Sequence, residues 1–270
     1  MQVDKPIDEI PDEVRQSNAL FVSVLRRYAH GFQHSDVIER GGLAICWADV
    51  PMAMYNNIFV TGVIDDHAIL ADRVREAAAF ARTKRRSGLI TVCRDLLGVR
   101  ARDKAEDTFG RAGYEPALRL IGMVSDVRPI AATDHAAFHI ERQDNGSVVT
   151  DLNCIAWGFP LEVGRASVPQ PSFWRDVFAY VAFEAGQPVA TATTIVQDEC
   201  LYVALVATVP EARGKGYAHA TLRRSLQNAH EATGFTKTIL HATEAGYPMY
   251  ERLGYRAAAG FTCYKPGPKQ

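Results

Sequence analysis

The chain predicts an α/β fold on two observations. Strand-like and helix-like runs alternate from Met123 onward, and the clearest of them is an apolar run, Leu201 to Val209, that leads through a glycine-containing loop into an amphipathic helix. Taken in order, the first half offers a helix over Ala68 to Lys84 and a strand over Leu89 to Cys93. A helix over Arg102 to Arg111 follows, then the pair Gly113-Tyr114 ahead of a strand at Ala117 to Met123. Val124 to Ile130 reads as a short strand, and Thr133-Asp134 as the cap of a helix running toward Arg142. An irregular stretch, Asn145 to Arg175, separates these from two strands, Asp176 to Glu184 and Pro188 to Val196, joined by a turn containing Gly186. After Leu201 to Val209 come a helix over Tyr217 to Ala232, a strand over Thr238 to Thr243, a short helix ending at Gly254 and a strand over Ala258 to Lys265.

Composition narrows the class. With 270 residues, 47% of them hydrophobic, there is enough apolar material for two ordinary cores. A formal net charge of -1 supplies no whole-molecule field for nucleic acid or an anionic membrane, so a small molecule held at a local site is the expected partner. The first residues are acidic and contain Pro6 and Pro11, unlike a secretory leader, and no apolar run reaches membrane-spanning length, so a soluble cytoplasmic protein is expected. Five scattered cysteines, Cys46, Cys93, Cys154, Cys200 and Cys263, lack metal or disulfide spacing and read as buried thiols. The eight histidines form no ligand cluster, and His135 and His139, four apart, read as one face of a helix; no metal is expected.

The loop Arg213-Gly214-Lys215-Gly216-Tyr217-Ala218 has the makings of an anion cradle. Gly214 and Gly216 let the main chain approach a bulky anion, the helix start adds a partial positive charge, and Arg213 and Lys215 add full ones. Downstream, Tyr250-Glu251-Arg252-Leu253-Gly254-Tyr255 closes a short helix. Together these two motifs resemble the GNAT superfamily of acyl-CoA-dependent N-acetyltransferases: Arg213, Gly216 and Ala218 fall on Arg/Gln-x-x-Gly-x-Gly/Ala, and Tyr250, Gly254 and Tyr255 on Tyr-x-x-x-Gly-Phe/Tyr.

The resemblance implies a GNAT fold and specific roles. Main-chain groups of Val206, Ala207 and Thr208 would meet the pantetheine arm of acetyl-CoA, with one N–H facing the thioester oxygen. Residues Arg213, Gly214, Lys215, Gly216, Tyr217 and Ala218 would take the pyrophosphate. Thr243 stands where many members carry an Asn that touches the cofactor, and its hydroxyl replaces only part of that bonding. Tyr250 would be the general acid for the departing thiolate. The acceptor side would come from Asn145 to Arg175, where Trp157, Phe159, Phe173 and Trp174 are available to line a pocket, and no general base is singled out among Glu184, Glu199, Glu211, Glu244 and His241.

The same order of elements appears twice. Phe109-Gly110-Arg111-Ala112-Gly113-Tyr114 aligns with the Tyr250 motif, with Phe109 in place of Tyr250, while Asp65-Asp66 stands where the cradle would be and would repel a pyrophosphate. The chain therefore resembles a tandem GNAT protein with a degenerate first half, 1–123, and an acetyl-CoA-binding second half, 124–270. The function implied is transfer of an acetyl group to a primary amine of a small molecule. The alternative is a non-catalytic acyl-CoA sensor or regulatory module.

Overall fold

The computed structural model describes residues 10–126 and 138–268. In chain order the elements are α1 (Asp12–His30), β1 (Asp36–Arg40), β2 (Leu43–Trp47), β3 (Asn56–Val60), α2 (His67–Arg82), β4 (Leu89–Cys93), α3 (Val99–Arg102), α4 (Ala105–Arg111) and β5 (Tyr114–Ser125). They continue with β6 (His139–Gln143), α5 (Ser147–Trp157), α6 (Leu161–Arg165), β7 (Val177–Glu184), β8 (Gln187–Gln197), β9 (Cys200–Thr208), α7 (Tyr217–Thr233), β10 (Thr238–Ala242), α8 (Tyr247–Arg252) and β11 (Arg256–Pro266). They group into two compact units, one built from residues up to Val124 together with His241 onward, the other from Ser125–Leu240.

The first unit carries the strand order β1-β2-β3-β4-β11-β5. β2, β3 and most of β4 are buried along their length, as strands covered on both faces must be. β11 joins this unit because it pairs antiparallel with β5 from Arg256↔Val124 to Pro266↔Tyr114 and with β4 from Phe261↔Cys93 to Tyr264↔Ile90. α1 buries Val14, Phe21, Val24, Leu25 and Tyr28, a three-to-four spacing that keeps one apolar stripe inward. Phe21 stacks on the His241 ring at 4.0 Å, and Phe261 closes the other side edge-on at 4.7 Å. Burial in this apolar box pushes the imidazole down to about 3, so His241 is a neutral packing residue that bonds Ser17 Oγ at 3.2 Å.

The second unit has the order β6-β7-β8-β9-β10. β6 to β9 are antiparallel, and β10 runs parallel to β9. α7 is fixed to the sheet by polar as well as apolar contact. Ser225 Oγ donates to Phe178 O at 2.7 Å, which leaves its lone pairs for the Thr194 hydroxyl, also at 2.7 Å.

Three sequence expectations need correction. His139–Gln143 is a strand, paired from His139↔Phe183 to Gln143↔Ala179, where a helix toward Arg142 was expected; the Thr133-Asp134 cap lies outside the described residues, as do His135 and most of Val124 to Ile130. The helix comes later, inside the stretch expected to be irregular. There Asn145 Oδ1 accepts from Ser147 N at 3.1 Å, Val149 and Leu152 face inward, and Gly158 ends α5 in the left-handed region at φ 71°. Finally, Arg102 to Arg111 is two helices rather than one, α3 and α4.

The first unit also repeats a device. α4 and α8 each lead into a glycine of positive φ, Gly113 at 85° and Gly254 at 88°, followed by a buried tyrosine, Tyr114 or Tyr255. Phe109 is fully buried and lies flat on Tyr264 at 3.6 Å, so the absence of a hydroxyl at that position matches an apolar stack.

His241 makes stability acid-sensitive. Its folded pKa is depressed, so the unfolded chain binds the proton first and stability falls as pH drops from about 6.5 toward 3, by about 1.4 kcal/mol per pH unit. Urea unfolding at pH 7.5 and pH 5 is expected to show this loss, and His241→Phe is expected to flatten the slope.

Candidate functional site

The distinctive stretch of the second unit begins in the middle of β9. Leu205 has φ 51°, in the left-handed region, although it is neither glycine nor asparagine. The β8–β9 register skips there: Thr193 faces Ala204 and Thr191 faces Ala207, so Leu205 and Val206 together oppose Ala192. That is a β-bulge, which turns peptide groups out of the ladder. On the other side, β10 pairs with β9 over Thr238↔Leu201, Ile239↔Tyr202 and Leu240↔Val203, and the ladder ends just before the bulge. Beyond Val203 the main chain of β9 is thus bonded on one side by β8 and presents its remaining groups away from it.

β9 ends at Thr208 and runs through a short 3-10 turn, Pro210–Ala212, into the loop 213–216. Gly214 and Gly216 take φ 79° and 84°, and the space into which a Cβ would project is open at both. Packing does not require glycine here; the backbone conformation does. Gly216 is the residue from which α7 springs, and no side chain caps the first turn of that helix. Its leading N–H groups carry the positive end of the helix dipole. The corresponding start of α2 is closed. Asp66 Oδ1 accepts from Ala68 N at 2.9 Å and Asp65 pairs with Arg100 at 2.5 Å, so carboxylates occupy the place an anion would take.

The loop is seated from below. Ala212 and Tyr217 are buried with Ala182, Val189 and Ala190, and Phe138 meets the Tyr217 ring edge-on at 4.7 Å. The Tyr217 hydroxyl donates to Glu184, which also holds Lys215 Nζ at 3.2 Å. These two donors hold the Glu184 carboxyl below the usual carboxylate range, and the same carboxylate pushes the Tyr217 phenol up to about 12. Arg213 donates through Nη2 to Ala156 O at 2.9 Å, in the last turn of α5, and through Nε to Thr208 O at 3.4 Å. Of the charges the sequence offers to the cradle, Arg213 ties the loop to α5 and Lys215 leans on Glu184. Both side chains stay exposed, and at Gly214 and Gly216 the main chain itself borders open space.

α5 and α6 sort the aromatic residues of the acceptor segment. Phe173 and Trp174 are buried, with the Trp174 indole N–H on Pro169 O at 3.3 Å, and serve packing. Trp157 and Phe159 are 48% and 38% exposed, beside the α5 carbonyl that Arg213 holds. Asp151 is engaged with Arg165 through two parallel contacts of 3.0 and 2.8 Å.

In the first unit, Thr243 Oγ1 accepts from Gly246 N at 3.2 Å at the entry to α8. Tyr250 is 9% exposed, and burial raises its phenol well above the ordinary value, so it stays protonated at neutral pH. All five cysteines are buried and reduced. Among the described residues, no group of three His, Cys, Asp or Glu side chains is arranged to hold a metal, and no helix is long and apolar enough to cross a membrane. The bulge at Leu205, the Glu184–Tyr217 seat and Asn153, whose amide reaches the bulge, escaped the sequence reading. Leu205 gave no signal, whereas Asn153 lies between the apolar residues Leu152 and Cys154.

A bulged strand released on one side feeds an uncapped helix through two left-handed glycines, and this arrangement sets the second unit apart within its α/β fold. Residues 150–255 match the model of the Acetyltransferase (GNAT) family. Solved structures similar to the chain share its fold at low identity. A GCN5-related N-acetyltransferase from Kribbella flavida has 19% identity and a TM-score of 0.65, covering 95% of this chain and 96% of its own. One from Sphaerobacter thermophilus has 14% identity and a TM-score of 0.54, covering 85% and 79%. A conserved protein of unknown function from Staphylococcus epidermidis has 11% identity and a TM-score of 0.60, covering 87% and 94%. No curated protein matches the chain.

Because space above Gly216 is open, the cost of a side chain there is backbone strain alone. Gly216→Val is expected to lower stability by about 1–2 kcal/mol, read as a fall of a few degrees in melting temperature, without loss of fold.

Proposed function

We propose that this chain is a cytoplasmic N-acetyltransferase that moves an acetyl group from acetyl-CoA to a primary amine of a small molecule. The observation that carries the reading is the uncapped start of α7 behind Gly214 and Gly216, set against the carboxylate-capped start of α2. In this reading the N–H groups of Arg213, Gly214, Lys215, Gly216, Tyr217 and Ala218 bind the pyrophosphate. Main-chain groups of Val206, Ala207 and Thr208 hold the pantetheine amides, and the peptide N–H of the bulge faces the thioester carbonyl. Thr243 contributes a hydroxyl to the cofactor, and Tyr250, kept protonated by burial, donates to the departing thiolate. Positioning of the two reactants supplies most of the rate enhancement, and neither a metal nor a covalent enzyme intermediate takes part.

The repeated order of elements supports a tandem organisation with the boundary near 123/124, in which the first copy has lost the cradle. The exposed Trp157 and Phe159 are the best-placed residues to meet an acceptor with an apolar portion.

Calorimetric titration with acetyl-CoA is expected to give one site per chain. Gly214→Val and Gly216→Val are expected to weaken binding by about tenfold or more while the protein stays folded. With an amine found by screening for CoA release, Tyr250→Phe is expected to keep acetyl-CoA affinity and lower turnover about 100-fold. Absence of binding would sink the acetyl-CoA reading. Binding without CoA release on any amine would leave a non-catalytic acyl-CoA sensor, and two sites per chain would show that the first copy also binds.

A further inference from the structure

Asn153 sits in the interior of α5, where asparagine is a poor helix former and a polar amide facing a sheet is costly. Its side chain is half-buried. Nδ2 donates to Val149 O, one turn back in the same helix, at 2.8 Å and to Leu205 O, at the bulge of β9, at 3.3 Å. One N–H therefore locks the amide against its own helix, and the other is aimed across to the strand.

The second contact falls on a single peptide group. Leu205 C=O and Val206 N–H belong to one planar trans unit, so the carbonyl and the N–H point in opposite directions. Fixing the carbonyl toward α5 fixes the Val206 N–H away from α5. The constraint matters because Leu205 is strained: an L-residue in the left-handed region is disfavoured and persists only where its surroundings hold it. Without the Asn153 bond, the 205–206 peptide is the part of β9 best able to rotate, since the register skip removes it from the β8 ladder and β10 pairing has already ended at Val203.

We infer that Asn153 is a positioning residue: by holding the Leu205 carbonyl it sets the direction of the Val206 N–H, the donor that meets the thioester carbonyl. The inference rests on the acetyl-CoA reading given above and adds to it a helix-borne residue that controls the oxyanion donor from behind. It also explains the residue type. A side chain that donates twice, once to its own helix and once to the strand, needs an amide at this length.

The test compares wild type with Asn153→Ala and with Asn153→Asp, which keeps the shape but places an oxygen against the Leu205 oxygen. Each protein is titrated calorimetrically with acetyl-CoA and separately with CoA, and acetyl-CoA cleavage by water, which takes the acetyl group as acetate, is followed as release of the CoA thiol. Expected are an unchanged CoA affinity within about twofold, loss of the wild-type preference for acetyl-CoA over CoA, and a cleavage kcat about 10–100-fold lower in both variants. A measurement on wild type alone covers the case in which the variants fail to fold. In protein labelled with 15N-valine, the Val206 amide proton is expected to move downfield with acetyl-CoA but not with CoA. Retention of the preference and of kcat in both variants, or an indifferent Val206 amide, would overturn the inference while leaving the acetyl-CoA reading intact. A wild type that binds neither compound would overturn both.

Discussion

A leucine held at φ 51° in the middle of a strand is the constraint on which the second unit turns. Before it in β9, Leu201 to Val203 pair with both β8 and β10; after it, Ala207 and Thr208 pair with β8. The bulge thus converts a continuous sheet into one with a strand that leaves its neighbour, and it does so without glycine, so the conformation has to be imposed. α5 imposes it through one amide. The same helix is gripped at its far end by Arg213, whose guanidinium reaches from the glycine loop to Ala156 O. Two ends of the β9–α7 segment are therefore anchored to a single helix, and the open main chain between them is held at both ends.

The contrast between α2 and α7 lies in how their first-turn groups are met. Both helices follow a strand and both expose first-turn N–H groups that need partners. In α2 the partner is built in, because Asp66 reaches Ala68 N. In α7 the flanking residues are glycines and no side chain meets the need. Lys215 does not fill it, since its ammonium group sits on Glu184, and that pair is about half exposed and holds its geometry weakly.

Legibility in the sequence followed the physics of each element. The strands β7 to β9 and the helix α7 were readable because apolar period and flanking glycines coincide there, and the GNAT motifs were readable because glycine at positive φ is a residue-type requirement. β6 was misread as a helix end because the run His-Ile-Glu-Arg-Gln is an exposed edge strand with a single apolar residue, which leaves no period to detect. α1 went unread although Pro11, Asp12 and Glu13 form an ordinary helix start. The bulge was out of reach in principle: Leu205 is a normal strand residue by propensity, and its conformation is set by a contact 52 positions away, which only the fold brings together. For Phe173 and Trp174 the sequence leaves pocket lining and packing equally open, since aromatic identity does not reveal which rings turn inward, and both are buried.

The place of β11 has a consequence for how the chain acquires its structure during synthesis. The strand fills an interior position between β4 and β5, yet it follows the whole of Ser125–Leu240 in the polypeptide. Until it emerges, the inner edges of β4 and β5 have no partner, and nascent chains carry an unpaired slot in an otherwise apolar sheet. The Ser125–Leu240 unit depends on no such late arrival. During synthesis Ser125–Leu240 can thus settle first, while the sheet of the earlier residues waits for a strand made after them.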